Sequence, residues 1–203
     1  GLEARIIESV GSTLTINQES HNKHERNHDP HVWLDPVNSI EIADLIATAL
    51  IAEDPLNKDI YVSNLSTLTE QLTNLDQEFK VSLSQCKHDS FVISHAAFGY
   101  IALRYDLQQL AIGGFSHDSA PSARKMAELT DIIRRNGLKY ILVEPLHKDG
   151  SFSKTLAQDV GAQVLDAHVL GSVTEEELAE HGDYLGLMRN NLHSLKIAME
   201  CNG

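Results

Sequence analysis

Phe91-Val-Ile-Ser-His95-Ala-Ala-Phe-Gly99-Tyr100 decides how the second half of this chain folds. Three apolar residues in a row read as a short buried strand, a histidine stands at its end, and small residues lead on into a helical stretch near 97–104. The same unit recurs downstream. Strands are expected at 91–94, 107–112, 140–143 and 163–165, with further helices near 121–136 and 153–160. Pro121 opens the longer of these helices and Gly137 stops it. Strand and helix in alternation make an α/β lobe, a parallel sheet with helices on both faces. The last segment, 183–199, places Tyr184, Leu187, Met188, Leu192, Leu195 and Met199 at helical spacing and is expected to close the lobe.

Upstream of this lobe, Tyr61, Leu65, Leu68, Leu72, Leu75 and Phe79 recur at alternating intervals of four and three, one stripe of a helix. A helix over 56–85 would be ~45 Å long at ~1.5 Å per residue, more than a compact lobe needs and suited to bridging two. An ordinary amphipathic helix or a coiled-coil segment shows the same periodicity. Earlier still, Asp35-Pro36 supplies an N-cap and a proline at the first helical position, ahead of an apolar stretch at 40–51. His21-Asn-Lys-His24-Glu-Arg-Asn-His28 holds no apolar residue and reads as a solvated loop. Residues 2–10 look helical, and 13–16 alternate as a strand does. The expected organisation is a remnant of an N-terminal lobe at 1–54 including the His-rich loop, a long interlobe helix at 55–86, and a C-terminal α/β lobe at 87–203.

A chain of 203 residues, 42% hydrophobic, can bury one substantial core or one core plus part of a second. Sixteen basic residues against 29 acidic ones give a net charge of −13, which repels phosphate backbones and anionic membrane surfaces and excludes a nucleic-acid partner. An acidic surface with 11 histidines suits cationic cargo, and equally it keeps a protein in solution. No run approaches the ~18 apolar residues of a membrane span, and no signal peptide opens the sequence. Cys86 and Cys201 form no CxxC, which excludes a Cys-rich zinc module; they read as one disulfide in an oxidising compartment or as two thiols.

Three stretches carry metal chemistry. In Asp29-Pro-His31-Val-Trp33-Leu-Asp35-Pro36, two Asp/Pro pairs bracket one histidine and hold it ahead of a helix. His95 ends a strand, at the edge where parallel sheets place their ligands. Leu165-Asp166-Ala-His168 follows the last strand at that same edge and offers a carboxylate or an imidazole. Two histidines and a carboxylate suit Zn²⁺. Taken singly, each has a plain structural reading: His31 as a polar residue in a wet first turn, His95 as a core histidine bonded to a carbonyl. His21, His24 and His28 read as a weak zinc-capturing loop or as a merely polar one, since ordering it costs entropy. Glu144 closes another strand and could support a ligand; His88, His117, His147, His181 and His193 read as surface residues. His-Glu-x-x-His, Gly-x-Ser-x-Gly and the phosphate-binding glycine loop are all absent, so no catalytic residue or bound cofactor is assigned.

Taken in order, the motifs at 29–36 and 94–100, then Ala120-Pro-Ser122, then Asp183-Tyr-Leu-Gly-Leu-Met-Arg-Asn-Asn-Leu192 resemble the zinc-uptake (ZnuA-type) binding proteins of ABC importers over nearly the whole chain. The resemblance implies an extracytoplasmic protein, in the periplasm or a cell-surface lipoprotein. Such a protein binds a divalent metal between two α/β lobes joined by a rigid helix, and hands it to the membrane permease of an ABC importer. It implies His31 and His95 as ligands. Manganese carriers of this kind usually have glutamate where His95 stands, which tilts the choice to zinc. Asp166 falls near the acidic ligand of the last loop, with His168 competing for that role. Family members begin with a unit that supplies one more histidine, and this chain is expected to start after it, so self-association or domain swapping of the fragment is a further expectation. A Mn²⁺ carrier or metal-binding adhesin on the same fold, and a zinc hydrolase, are the rival readings.

Overall fold

The computed structural model describes residues 29–115, 120–145 and 152–202. The expected helix at 2–10, the strand at 13–16, the loop of His21, His24 and His28, and His117 and His147 lie outside the described residues.

A single 3₁₀ turn, Val32–Leu34, leads into helix α1, Pro36–Glu53. The Asp35 carboxylate caps α1 by accepting from the backbone N–H groups of Val37 and Asn38, and Arg104 pairs with it from the far side. After a second 3₁₀ turn, Pro55–Asn57, comes the long helix α2, Lys58–Leu83. Its 26 residues correspond to a length of ~39 Å. The apolar stripe of α2 has two partners. Leu72, Leu75, Phe79 and Leu83 are buried in the main core, whereas Leu65 and Leu68, with Ile42, Ile46 and Leu50 of α1, line an open apolar groove next to Trp33.

The sheet is built from β1 (Ser90–Ile93), β2 (Gln108–Ala111), β3 (Tyr140–Val143) and β4 (Gln163–Asp166), all parallel, in the order β2-β1-β3-β4. Alternation along the pleat sends Phe91 and Ile93 into one core and Val92 into another. Under the first face lie α2, the short helix α3 (Gly99–Arg104) and the closing helix α7 (Tyr184–Ala198). Under the second lie α4 (Ala123–Asn136) and α5 (Phe152–Val160), through Leu129, Ile133, Leu156 and Ala157. The expected α/β lobe, a parallel sheet with helices on both faces, is therefore what forms. Ser122 caps α4, and Gly137 ends it at φ 66°, a left-handed position that glycine takes without a steric penalty.

Helix α6, Glu175–His181, was not among the expected elements. Its signal is nonetheless in the sequence, because Thr174-Glu-Glu-Glu177 is a capping box: the Thr174 hydroxyl accepts from the Glu177 N–H, and the Glu177 carboxylate accepts from the Thr174 N–H. Gly186 in the first turn of α7 lets the two helices meet, since a Cβ there would stand 1.7 Å from the His181 carbonyl oxygen.

Cys86 and Cys201 form a disulfide, which decides between the two readings of the cysteines. Around it the two segments make a short antiparallel contact, with the Asn202 N–H donating to the Gln85 carbonyl at 2.9 Å. Beside it Glu200 takes ion pairs from Lys87 and Lys139, each at 2.8 Å. Hydrogen bonds from Lys139 and then Lys87 hold the Glu200 carboxyl down at about 2, against an ordinary 4.5. Since the folded chain binds this proton less readily than the unfolded one, the contribution is present above about pH 4.5 and is lost as pH falls towards 2. Urea midpoints measured from pH 6 down to 2.5 should therefore fall less steeply for Glu200→Gln than for wild type.

Candidate metal centre

The chain leaves β1 towards β2 on one side and crosses back to β3 on the other, so the carboxyl ends of β1 and β3 flank a topological switch point. Ligands of open α/β sheets bind in such crevices. His95 stands two residues beyond the end of β1 and Glu144 directly after β3; both are buried. The turn holding His95 is fixed on both sides. The Ser94 N–H donates to the Leu142 carbonyl, the Ala96 N–H to the Gly114 carbonyl, and the Phe98 N–H to the Gln109 side-chain oxygen.

His31 comes to the same place from the segment before α1. One oxygen of Asp29 accepts from the His31 backbone N–H at 3.0 Å and lies 2.8 Å from its Nδ1. Asp29 is in turn tied to α3, because the Tyr100 hydroxyl donates to its carbonyl at 3.2 Å. Its carboxylate lies so close to Gly99 that a Cβ there would be 2.6 Å from Oδ2. The two imidazoles, His31 and His95, end with ring centroids 5.6 Å apart. Two histidines on one tetrahedral zinc, each at ~2.0–2.1 Å through nitrogen, put their ring centres roughly 5 Å apart. With Asp29 accepting a hydrogen bond from Nδ1–H, His31 keeps Nε2 as its electron-pair donor.

The loop after β4 is fastened to this segment, since the Trp33 indole N–H donates to the Val169 carbonyl at 2.8 Å. His168 is buried, and its backbone is gripped by Asn191 of α7: the His168 N–H donates to Oδ1 at 2.7 Å and the Asn191 amide donates to the His168 carbonyl at 2.8 Å. The His168 ring meets Glu177 through Nδ1 at 3.0 Å and packs T-shaped with the His181 ring at a centroid distance of 5.2 Å. Burial pushes the Glu177 carboxyl up, but hydrogen bonds from Thr174 and the contact with His168 outweigh it, so it lies below the ordinary range. Asp166 is the last residue of β4, in register with Val143.

The structure thus brings His31 and His95 together and leaves His168 with its own partners. Among the described residues no group of three or more His, Cys, Asp or Glu side chains gathers closely enough to hold a metal ion. His181, expected as a plain surface residue, is half-buried against His168. Glu177 was not singled out, and Asn191 only as part of the motif at 183–192, with no role given to it. For Glu177 the capping-box spacing was the available signal; for Asn191 it was that motif.

A profile of the family described as zinc-uptake complex component A, periplasmic (ZnuA), matches residues 3–198. The zinc-binding lipoprotein AdcA of Streptococcus pneumoniae is 38% identical over 210 residues, 99% of this chain and 42% of the relative. The high-affinity zinc uptake system protein ZnuA of Bacillus subtilis is 32% identical over 168 residues, 83% of this chain and 52% of the relative. Among solved structures, the Zn(II)-bound ZnuA-like domain of S. pneumoniae AdcA superposes with a TM-score of 0.73 at 36% identity, covering 91% of this chain and 68% of that one. A mutant of the laminin-binding adhesin Lmb of Streptococcus agalactiae gives 0.81 at 28% identity, over 94% and 69%. The chain therefore spans about half or less of the curated relatives it matches. With the profile running through both histidine motifs and the parallel lobe common to these structures, the chain belongs to the ZnuA family of zinc-uptake components.

Proposed function

We propose that the chain binds Zn²⁺ as cargo, outside the cytoplasmic membrane, and passes it to the permease of an ABC importer, with His31 and His95 as two of the ligands. The observation that carries this reading is the buried imidazole pair at the switch point, 5.6 Å apart, with Asp29 on the Nδ1 of His31. Nitrogen donors favour zinc over manganese, which prefers oxygen. The loop after β4 offers Asp166 or His168 as a third donor, and it is held close by: the His168 backbone is bonded to Asn191 of α7, one residue before the carbonyl that accepts from the Trp33 indole. The disulfide accords with an oxidising compartment. Helix α2 acts as the interlobe helix at 55–86, between the lobe at 87–203 and the segment at 1–54. The role is that of a carrier, not a hydrolase, in keeping with a family described as a component of an uptake complex.

Titration calorimetry with Zn²⁺ and Mn²⁺ on this chain tests the reading. Zinc is expected to bind the more tightly, and a preference for manganese, or no binding of zinc, would overturn it. The Asp29 carboxylate should matter beyond packing. Asp29→Asn is expected to cost tenfold to a hundredfold in zinc affinity, about what loss of a ligand's outer hydrogen-bond partner costs, as read by competition with a chromophoric chelator.

A further inference from the structure

We propose that the open groove between α1 and α2 is the seat of this chain's own apolar segment at 2–16, which lies outside the described residues. The inference does not depend on zinc binding.

The groove has a volume of about 600 Å³ and is walled by Ile42, Ile46 and Leu50 of α1 and by Leu65 and Leu68 of α2, with Trp33 alongside. Ile46, Leu50 and Leu68 are 40%, 37% and 38% exposed, so among the described residues this wall stays open to solvent. A contiguous apolar face of this kind calls for an occupant. The sequence holds one of matching chemistry. Leu2, Ile6, Ile7 and Val10 recur at helical spacing, and Leu14 and Ile16 alternate with Thr13 and Thr15, which is more apolar surface than a solvated tail carries. The family profile starts at residue 3, so this stretch belongs to the sequence that the family shares. Reach is ample. Asp29, where the described chain begins, stands four residues before Trp33. From Ile16 to Asp29 the chain can extend ~45 Å, against ~16 Å of α1 between Ser39 and Leu50. Charge disfavours a second copy as the occupant. Between Asp35 and Asn57 the chain carries Asp35, Glu41, Asp44, Glu53 and Asp54 and no Lys or Arg, so two such faces, each on a chain of net charge −13, repel one another. Filling the groove also bears on the segment of His31, because Trp33 lines it and packs T-shaped with the His31 ring at a centroid distance of 5.6 Å.

Methyl NMR on the full chain, free of metal, tests this directly. Cross-relaxation is expected between the methyl groups of Ile6 or Ile7 and those of Leu50, Leu65 or Leu68. In a sample that mixes labelled with unlabelled chains, these contacts should appear within one chain and not between chains. The double variant Ile6→Glu/Ile7→Glu should lose them, and its groove should then take up an apolar dye with severalfold more emission than wild type. Trp33 is the sole tryptophan and lines the groove, so its emission should move to the red in that variant. Leu68→Glu, from the opposite side, should break the same contacts. The wild-type spectra decide the matter even where a variant fails to fold. Three results would overturn the inference: no contact between the two sets of methyl groups, contacts that arise only between chains, or wild type that takes up the dye as strongly as Ile6→Glu/Ile7→Glu. The second of these would make the groove an interface between copies of this chain, and the third would leave it open to a small apolar ligand.

Discussion

Replacing His31 or His95 by alanine should lower zinc affinity at least about a hundredfold, more than the loss of an outer partner such as Asp29. Each of these rings supplies one nitrogen to the pair that the structure brings together. Removing one takes away half of that pair, and the remaining donors compete less well with water for a divalent ion. The measurement is chelator competition at constant pH, paired with thermal unfolding of the metal-free chain. The second measurement is needed because His31→Ala also strips the buried Asp29 of its partner, which destabilises the fold by itself. His31→Gln is the cleaner variant, since an amide can still donate to Asp29. A variant of either histidine with undiminished affinity and an intact fold would remove the proposed site.

The largest effect on stability is expected from the disulfide. Cys86 and Cys201 close a loop of 115 residues, and the chain-entropy relation assigns about 5 kcal/mol to a closure of that length. A domain of this size is stable by roughly 5–15 kcal/mol in total, so the double variant Cys86→Ala/Cys201→Ala should lose a large share of its margin. Urea unfolding of wild type with and without a reductant, beside the double variant, measures this. Reduced wild type and the variant should coincide, well below the oxidised form. Zinc affinity of the folded protein should not change, because the disulfide precedes β1 while His95 follows its carboxyl end. A shift under about 1 kcal/mol would mean that the unfolded chain is already compact enough for the closure to remove little of its entropy.

Much of the lobe was legible because its strands are short apolar runs separated by helices with clear starts and stops. Tyr140–Val143 lies where its sequence places it, and the other three strands differ only at their ends. Helix α2 shows where periodicity runs out. Its stripe is continuous in the sequence, yet only the half from Leu72 onward enters the main core, and nothing in the spacing marks the change of partner. The cysteine pairing was undecidable for the same reason: two residues 115 apart meet only because α7 returns along α2 and the terminus comes back to Gln85. At the site, the proximity of His31 and His95 depends on a connection between motifs more than 60 residues apart, which only the folded backbone shows. His168 and its neighbours were legible as chemistry but not as geometry. Asn191 grips the loop from a helix whose sequence reads as ordinary apolar packing.

The close approach of Asp29 to Gly99 makes the two histidine-bearing segments one inheritable unit. A side chain at Gly99 would force the carboxylate off its place, and His31 would lose the partner that sets its orientation. Anyone grafting the Asp29-to-Pro36 segment onto another scaffold must therefore carry the glycine along with it. Within a lineage, a change at either position should be tolerated only when the other changes too.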